Sequence, residues 1–255
     1  MLSKNQEKLI VLLSKKKYRD KLNLFVAEGP KLVFDLISSG FIPYLIVADK
    51  NFQPESISFF DVEPVITTEN VIKRVSQLKT PQNIIAVFHQ PNNISEKINF
   101  NSLLLGLDGI QDPGNFGTIL RIADWFGFDE IICSVDTVDV YNPKVVQSSM
   151  GSIGRVKVNY VNFVEFCTKY SESGNNIYGA FTNGDNIYTA HLEQKGLIIM
   201  GNEGNGISPE IEKIVTKKIS IPTFSTKKNP SQSLNVGAAT AVVCSEFIRR
   251  KISDF

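Results

Sequence analysis

LLLGLDGIQDPGNFGTILRIADWFGFDEIICSV, residues 103–135, contains one complete strand–helix–strand unit. LLLGL (103–107) is an apolar run of strand length, FGTILRIADWFG (116–127) is rich in apolar residues at helical spacing, and EIICSV (130–135) is a second apolar run. A helix between two such strands marks a parallel pair, since antiparallel neighbours need only a hairpin. The alternation continues downstream. Pro143 opens a helix running to Met150-Gly151, RVKVNY (155–160) is a strand, and NFVEFCTKY (162–170) is a helix. IYGAF (177–181) and GLIIMG (196–201) are strands, and SPEIEKIVT (208–216) is a helix opened by Ser208 with Pro209 behind it. KISIP (218–222) is the last strand and SLNVGAATAVVCSEFIRRK (233–251) the last helix. Repeated βα units predict a mostly parallel sheet with helices on both faces.

Upstream the same reading gives a smaller α/β sandwich. Helical spacing over 6–13 is followed by a basic run, then by strand LFVAEG (24–29), closed by Gly29-Pro30. KLVFDLISSG (31–40) is a helix stopped by Gly40, YLIVAD (44–49) a strand, NVIKRVSQL (70–78) a helix and IIAVFHQ (84–90) a strand. HQPNNISEKINFN (89–101) has no apolar period and reads as the linker. The expected organisation is therefore a domain over 1–92, a linker at 93–101 and a second domain over 102–255.

Composition places the chain among ordinary soluble globular proteins, with 42% hydrophobic and 21% charged residues. Cys133, Cys167 and Cys244 are odd in number and sit in apolar stretches, which suits buried thiols in a reducing compartment. There is no CxxC pair, and His89 and His191 are the only histidines, so no metal site is expected. Apolar runs are too short to cross a bilayer and the N-terminus lacks a signal-peptide core, which points to the cytoplasm. The net charge of +1 is uninformative, but its distribution is not. Residues 1–21 carry seven basic side chains (Lys4, Lys8, Lys15, Lys16, Lys17, Arg19, Lys21) against Glu7 and Asp20, a net +5. Such a cluster attracts phosphates regardless of sequence, or is simply a solvated helix face.

Ligands of parallel α/β sheets sit beyond the carboxyl ends of strands, so the strand-to-helix loops carry the chemistry. In GLDGIQDPGNFGTILRIADWFG (106–127), Asn115 stands where it could cap the helix and Arg121 follows six residues later, about 9 Å along the axis. The pair is read either as a cap with a cation reaching for solvent, or as two members of a site. In LIIMGNEGNGIS (197–208), Gly201, Gly204 and Gly206 leave backbone amides accessible around Glu203. The spacing matches neither GxxxxGK[ST] nor GxGxxG, and a carboxylate repels phosphate, so a cationic partner fits better. In SIPTFSTKKNPSQSLNVGAATAV (220–242), a polar loop enters a helix whose start carries Ser233 and Asn235. Lys227 and Lys228 in that loop would reach RNA or remain solvated charge.

The ordered set N-x-G-x(3)-R, G-x-E-G-x-G and I-P…S-L-N-V resembles the three signature motifs of SpoU/TrmH-class RNA ribose 2′-O-methyltransferases of the SPOUT superfamily. The resemblance covers 103–250, and KKKYRDKLNLFVAEGPKLV (15–33) resembles the substrate-binding domain that precedes the catalytic domain in many members. It implies a trefoil knot near the C-terminus and S-adenosyl-L-methionine as methyl donor without metal. The implied cofactor contacts are Thr182, Met200, Gly201, Ile221 and Leu234; the implied catalytic set is Asn115, Arg121, Glu203, Ser233 and Asn235. Arg121 would bind a phosphate and stabilise alkoxide charge, with Glu203 holding it, since a guanidinium is a poor base. The loop between Ile221 and Leu234 is longer than is common in the family. The resemblance further implies a homodimer acting on structured RNA, ribosomal in preference to tRNA because of the separate N-terminal domain. The rivals are the same reaction on tRNA and a non-catalytic RNA-binding or assembly protein.

Overall fold

The computed structural model describes residues 2–52, 62–91, 98–227 and 232–253. Most of the expected linker and part of the 223–232 loop, including Lys228, lie outside these residues. Two compact units are formed: residues 1–95 with 139–155, and residues 96–138 with 156–255.

The first unit opens with α1 (Lys4–Leu12), started by a reciprocal cap in which Gln6 N donates to Ser3 Oγ and Ser3 N to Gln6 Oε1. The basic run does not stay extended; it forms a second helix, α2 (Lys16–Leu22), ended by Asn23 in a left-handed conformation. There follow β1 (Leu24–Glu28), α3 (Pro30–Ser38), β2 (Pro43–Asp49), β3 (Val65–Thr67), α4 (Glu69–Val75) and β4 (Ile84–His89). The sheet order is β1-β4-β2-β3, with β4 antiparallel to both neighbours and β3 parallel to β2. Its core gathers Ile10, Leu13, Val26, Val47, Ile72, Val75, Ile85 and Val87.

The chain then builds β5 (Leu103–Asp108), α5 (Pro113–Trp125) and β6 (Glu130–Ser134) of the second unit. It returns to the first unit for α6 (Pro143–Ser149) and a 3-10 turn at Ser152–Gly154. Sequence places this excursion in the C-terminal domain; in the structure its apolar side chains cover the first sheet instead. Phe25 of β1 stacks on Phe88 and packs on Tyr141 at 4.8 Å between ring centroids. Arg19, only 2% exposed, donates from Nε and Nη2 to Asp139 Oδ2 at 2.9 and 2.6 Å, and from Nη1 to the carbonyls of Leu13 and Ser14. Each of its three guanidinium nitrogens has an acceptor, the condition under which a charge tolerates burial. Arg19 is thus removed from the basic patch, which keeps the exposed Lys4, Lys8, Lys15, Lys16, Lys17 and Lys21.

The second unit continues with β7 (Lys157–Val161), α7 (Phe163–Glu172), β8 (Ile177–Asn186), β9 (Gly196–Gly201), α8 (Pro209–Glu212), β10 (Lys217–Ser220) and α9 (Val236–Ser253). Its six strands are ordered β10-β8-β9-β5-β6-β7, and every pair is parallel. β9 is buried throughout and β5 and β6 beyond their first residue, as a sheet covered on both faces requires, whereas the second half of β8 is largely exposed. Helices α5 and α9 pack together in this unit. The three cysteines are free and buried; burial pushes the Cys167 and Cys244 thiols up to about 12. Among the described residues no helix is long and apolar enough to cross a membrane.

Candidate functional site

From β5 the chain runs outward through β6 to β7, and then reappears on the other side as β8, β9 and β10. The order therefore reverses between β5 and β9, and the crevice beyond their carboxyl ends is where ligands of such sheets bind. Asp108, the last residue of β5, is paired with Gly201, the last of β9, so the loops that follow start side by side.

The β9 loop is folded tightly back on itself. A Cβ on Gly201 would lie 2.3 Å from the backbone of Gly206 and Ile207, so only glycine allows this approach. Asn202 and Gly206 exchange two backbone hydrogen bonds of 2.9 Å. The Asn202 side chain accepts from the amides of Gly204 and Asn205 and donates to the Gly109 carbonyl at 2.6 Å. Asp108 accepts from Ser208 N at 2.7 Å, which ties the loop's exit to β5 as well.

This presents Glu203 to the start of α5. Its carboxylate accepts from Gln111 N and Asp112 N at 3.1 Å each and from Asn115 Nδ2 at 3.0 Å. Partial burial opposes ionisation, but those hydrogen bonds outweigh it and hold the Glu203 carboxyl below its ordinary range. Asn115 is not the helix cap. Asp112 is, accepting from Asn115 N at 2.8 Å, with Pro113 behind it in the first helical turn. The Asn115 side chain is consequently available: its Nδ2 faces Glu203 and its Oδ1 accepts from Asn235 Nδ2 at 2.9 Å. Neither amide could be turned round. Glu203 can only accept, and Asn235 Oδ1 is taken by the Gly237 and Ala238 amides at the start of α9. One hydrogen-bonded chain, Glu203–Asn115–Asn235, thus joins all three motif loops.

Arg121 stands on the same helix, exposed, without a hydrogen-bond or ion-pair partner among the described residues. The expectation that Glu203 holds it is corrected: Glu203 is committed to Asn115 and two amides, leaving the guanidinium open to an external anion. Ser233 is exposed just ahead of α9, and Leu234 beside it is 53% exposed.

The other expected cofactor residues lie on three adjacent strands. Gly179 of β8 is level with both Ile199 and Lys218; beyond it the register with β10 shifts, so that Ser220 pairs with Asn186 and Ile221 follows. Between Gly179 and Asp185, five residues of β8 have no register partner in β9 or β10, and Thr182 is the middle one. Met200 is buried, Ile221 half-buried and Thr182 exposed. The neighbourhood thus combines irregular backbone with apolar Ile221 and Leu234, and Glu203 supplies negative charge at the motif loops. Such a set suits an adenosyl sulfonium. Sequence reading missed Asp108, Asp112 and Asn202. Asp112-Pro113 carries a helix-start signal that could have revealed the cap; nothing local distinguishes Asn202 from any loop asparagine. Among the described residues there is no group of three or more His, Cys, Asp or Glu that could hold a metal ion.

Comparison with known proteins identifies the family. The sequence model of the SpoU rRNA Methylase family matches residues 102–245, and that of the MRM3-like substrate binding domain matches residues 4–86. The chain is 30% identical over 233 residues to the Bacillus subtilis 23S rRNA (guanosine(2553)-2′-O)-methyltransferase RlmP, covering 91% of each. A solved structure from Porphyromonas gingivalis, described as a TrmH-family RNA methyltransferase, superposes with a TM-score of 0.87 at 38% identity over 98% of this chain and 99% of that one. An AdoMet-bound rRNA methyltransferase from Sinorhizobium meliloti superposes with a TM-score of 0.85 at 26% identity, over 98% and 96%.

Proposed function

Because the chain belongs to the SpoU rRNA methylase family, we propose that it methylates a ribose 2′-hydroxyl of ribosomal RNA using S-adenosylmethionine. The observation that carries this reading is the Glu203–Asn115–Asn235 chain of hydrogen bonds beside an uncommitted Arg121. The cofactor would be held by Met200, Gly201, Ile221 and Leu234, with Thr182 on the facing strand. When bound it supplies an electrophilic methyl group.

The protein's own residues do the rest. Arg121, with no internal anion to satisfy it, binds the phosphate next to the target ribose and stabilises negative charge as the hydroxyl loses its proton. Asn115, its amide fixed from both sides, has one orientation in which to meet the ribose. Glu203 holds that orientation, and its negative charge favours a sulfonium nearby. Ser233 and Asn235 close the site from the α9 side. Placing two reactants in line in this way can remove several kcal/mol of the barrier.

The exposed lysines of α1 and α2 make the first unit the holder of RNA backbone, in keeping with its substrate-binding-domain match. We place the protein in the cytoplasm, with a trefoil knot around the β9–α9 loops. We also propose a homodimer, its contact on the outer side of α5, where Trp125 is 84% exposed one turn beyond Arg121. Ribose-methylation mapping of total RNA from cells with and without the gene tests the function. One site in large-subunit rRNA should lose its methyl group; a lost tRNA site would move the substrate, and no lost site would remove the activity.

A further inference from the structure

At one end of the first unit's sheet, exposed residues come together from the end of α2, the end of β4 and the opening of β2. Leu24 of β1 is paired with His89 of β4, and His89 N donates to the carbonyl of Ile42, just ahead of β2. The row therefore runs from Leu22 through His89 to Ile42 and Tyr44. Leu22 is 41%, Ile42 67% and Tyr44 52% exposed, although the rest of β2 and β4 is buried. Tyr44 and His89 meet with ring centroids 5.6 Å apart and planes at 86°. Asn23 and Gln90 lock α2 to this end, each donating to the other's backbone carbonyl at 3.3 and 2.9 Å.

Helix α2 brings charge to the same place. Lys17 and Lys21 are four residues apart, so they share one helix face, and Lys21 immediately precedes Leu22. Both are exposed and neither has an ion-pair partner among the described residues, whereas Lys16 is paired with Asp20. An exposed aromatic ring and a neighbouring helix with uncommitted lysines are what an unpaired nucleotide needs: a surface on which to stack and cations for its phosphates.

We propose that the exposed Tyr44 ring, braced at right angles by His89, is a stacking platform for an unpaired base of the substrate RNA, with Lys17 and Lys21 drawing in the adjacent phosphates. The proposal rests on the RNA-methyltransferase reading and adds to it a defined contact for a single-stranded element. A protein partner would use the same apolar row but would have no need of planar rings.

The test uses the full chain and unmodified 23S rRNA transcribed in vitro. Tyr44→Ala with His89→Ala should raise KM for the RNA on the order of tenfold, with the loss confined to KM. Tyr44→Phe should behave as wild type, because stacking needs the ring and not the hydroxyl. The salt dependence of binding should be unchanged in Tyr44→Ala, and its slope should fall by about one unit for each of Lys17→Ala and Lys21→Ala. A double variant whose KM stays within twofold of wild type overturns the platform while the methyltransferase reading stands. A Tyr44→Phe variant as impaired as Tyr44→Ala overturns stacking as its basis. If wild-type protein methylates no RNA, the functional reading fails and takes the platform with it.

Discussion

Arg121 and Asn115 illustrate what single residues disclose. In the sequence the pair, taken alone, fitted a cap and a surface cation better than two members of a site. The structure separates the two: Asp112 takes the cap, Asn115 is drawn into a chain with Glu203 and Asn235, and Arg121 has no acceptor among the described residues. An exposed guanidinium beside a fixed polar network is a transition-state contact and not a fold contact. Arg121→Ala should therefore lower the methyl-transfer rate by on the order of 10²–10³. Its dissociation constant for S-adenosylmethionine, read by calorimetry, should stay within twofold of wild type. Retained turnover would refute the role. The motif residues were legible because the three loops, in their order, resemble the family's signature motifs; none was legible alone. Asn202 and Asp108, which hold the Glu203 loop in place, were not, because one asparagine and one aspartate become a clasp only when two loops meet.

At the scale of elements, most strands and helices could be read from apolar period and end signals. Two were missed for physical reasons. Helix α2 is mostly polar and is ordered by the burial of Arg19, which no period reveals. β3 is three residues long and only part-buried. The adjacency of the β5 and β9 loops was beyond reach, since insertion of β9 between β8 and β5 is a matter of sheet order. That adjacency depends on the tight return of the β9 loop. In Gly201→Ala the new methyl group would meet backbone atoms of Gly206 and Ile207, which cannot swing aside as a side chain would. The loop must open and carry Glu203 away from Asn115. Cofactor affinity and activity should both fall by at least about tenfold, a cost of about 1.4 kcal/mol or more. Calorimetry alongside a thermal melt checks this; unaltered affinity in a folded variant would show that the tight turn is dispensable.

The whole molecule is where sequence reading was least informative. A linear cut at 93–101 followed from composition, yet residues 139–155 pack with the first unit. Val145 and Val146 give a helix like any other crossover helix, and apolar spacing does not say which sheet will cover it. Assembly belongs to this scale as well. Light scattering should give twice the 28.4 kDa of one chain, and Trp125→Glu should return that single-chain mass. A monomeric wild type with full activity would dismiss the dimer. The excursion also sets an order of events in time. Arg19 finds Asp139, and Phe25 finds Tyr141, only once the chain has been made through residue 155. At a synthesis rate of about 5–20 residues per second, the N-terminal sheet waits roughly 3–13 s after its last strand for the whole segment that covers it. Through that interval it carries a buried-type arginine without its carboxylate.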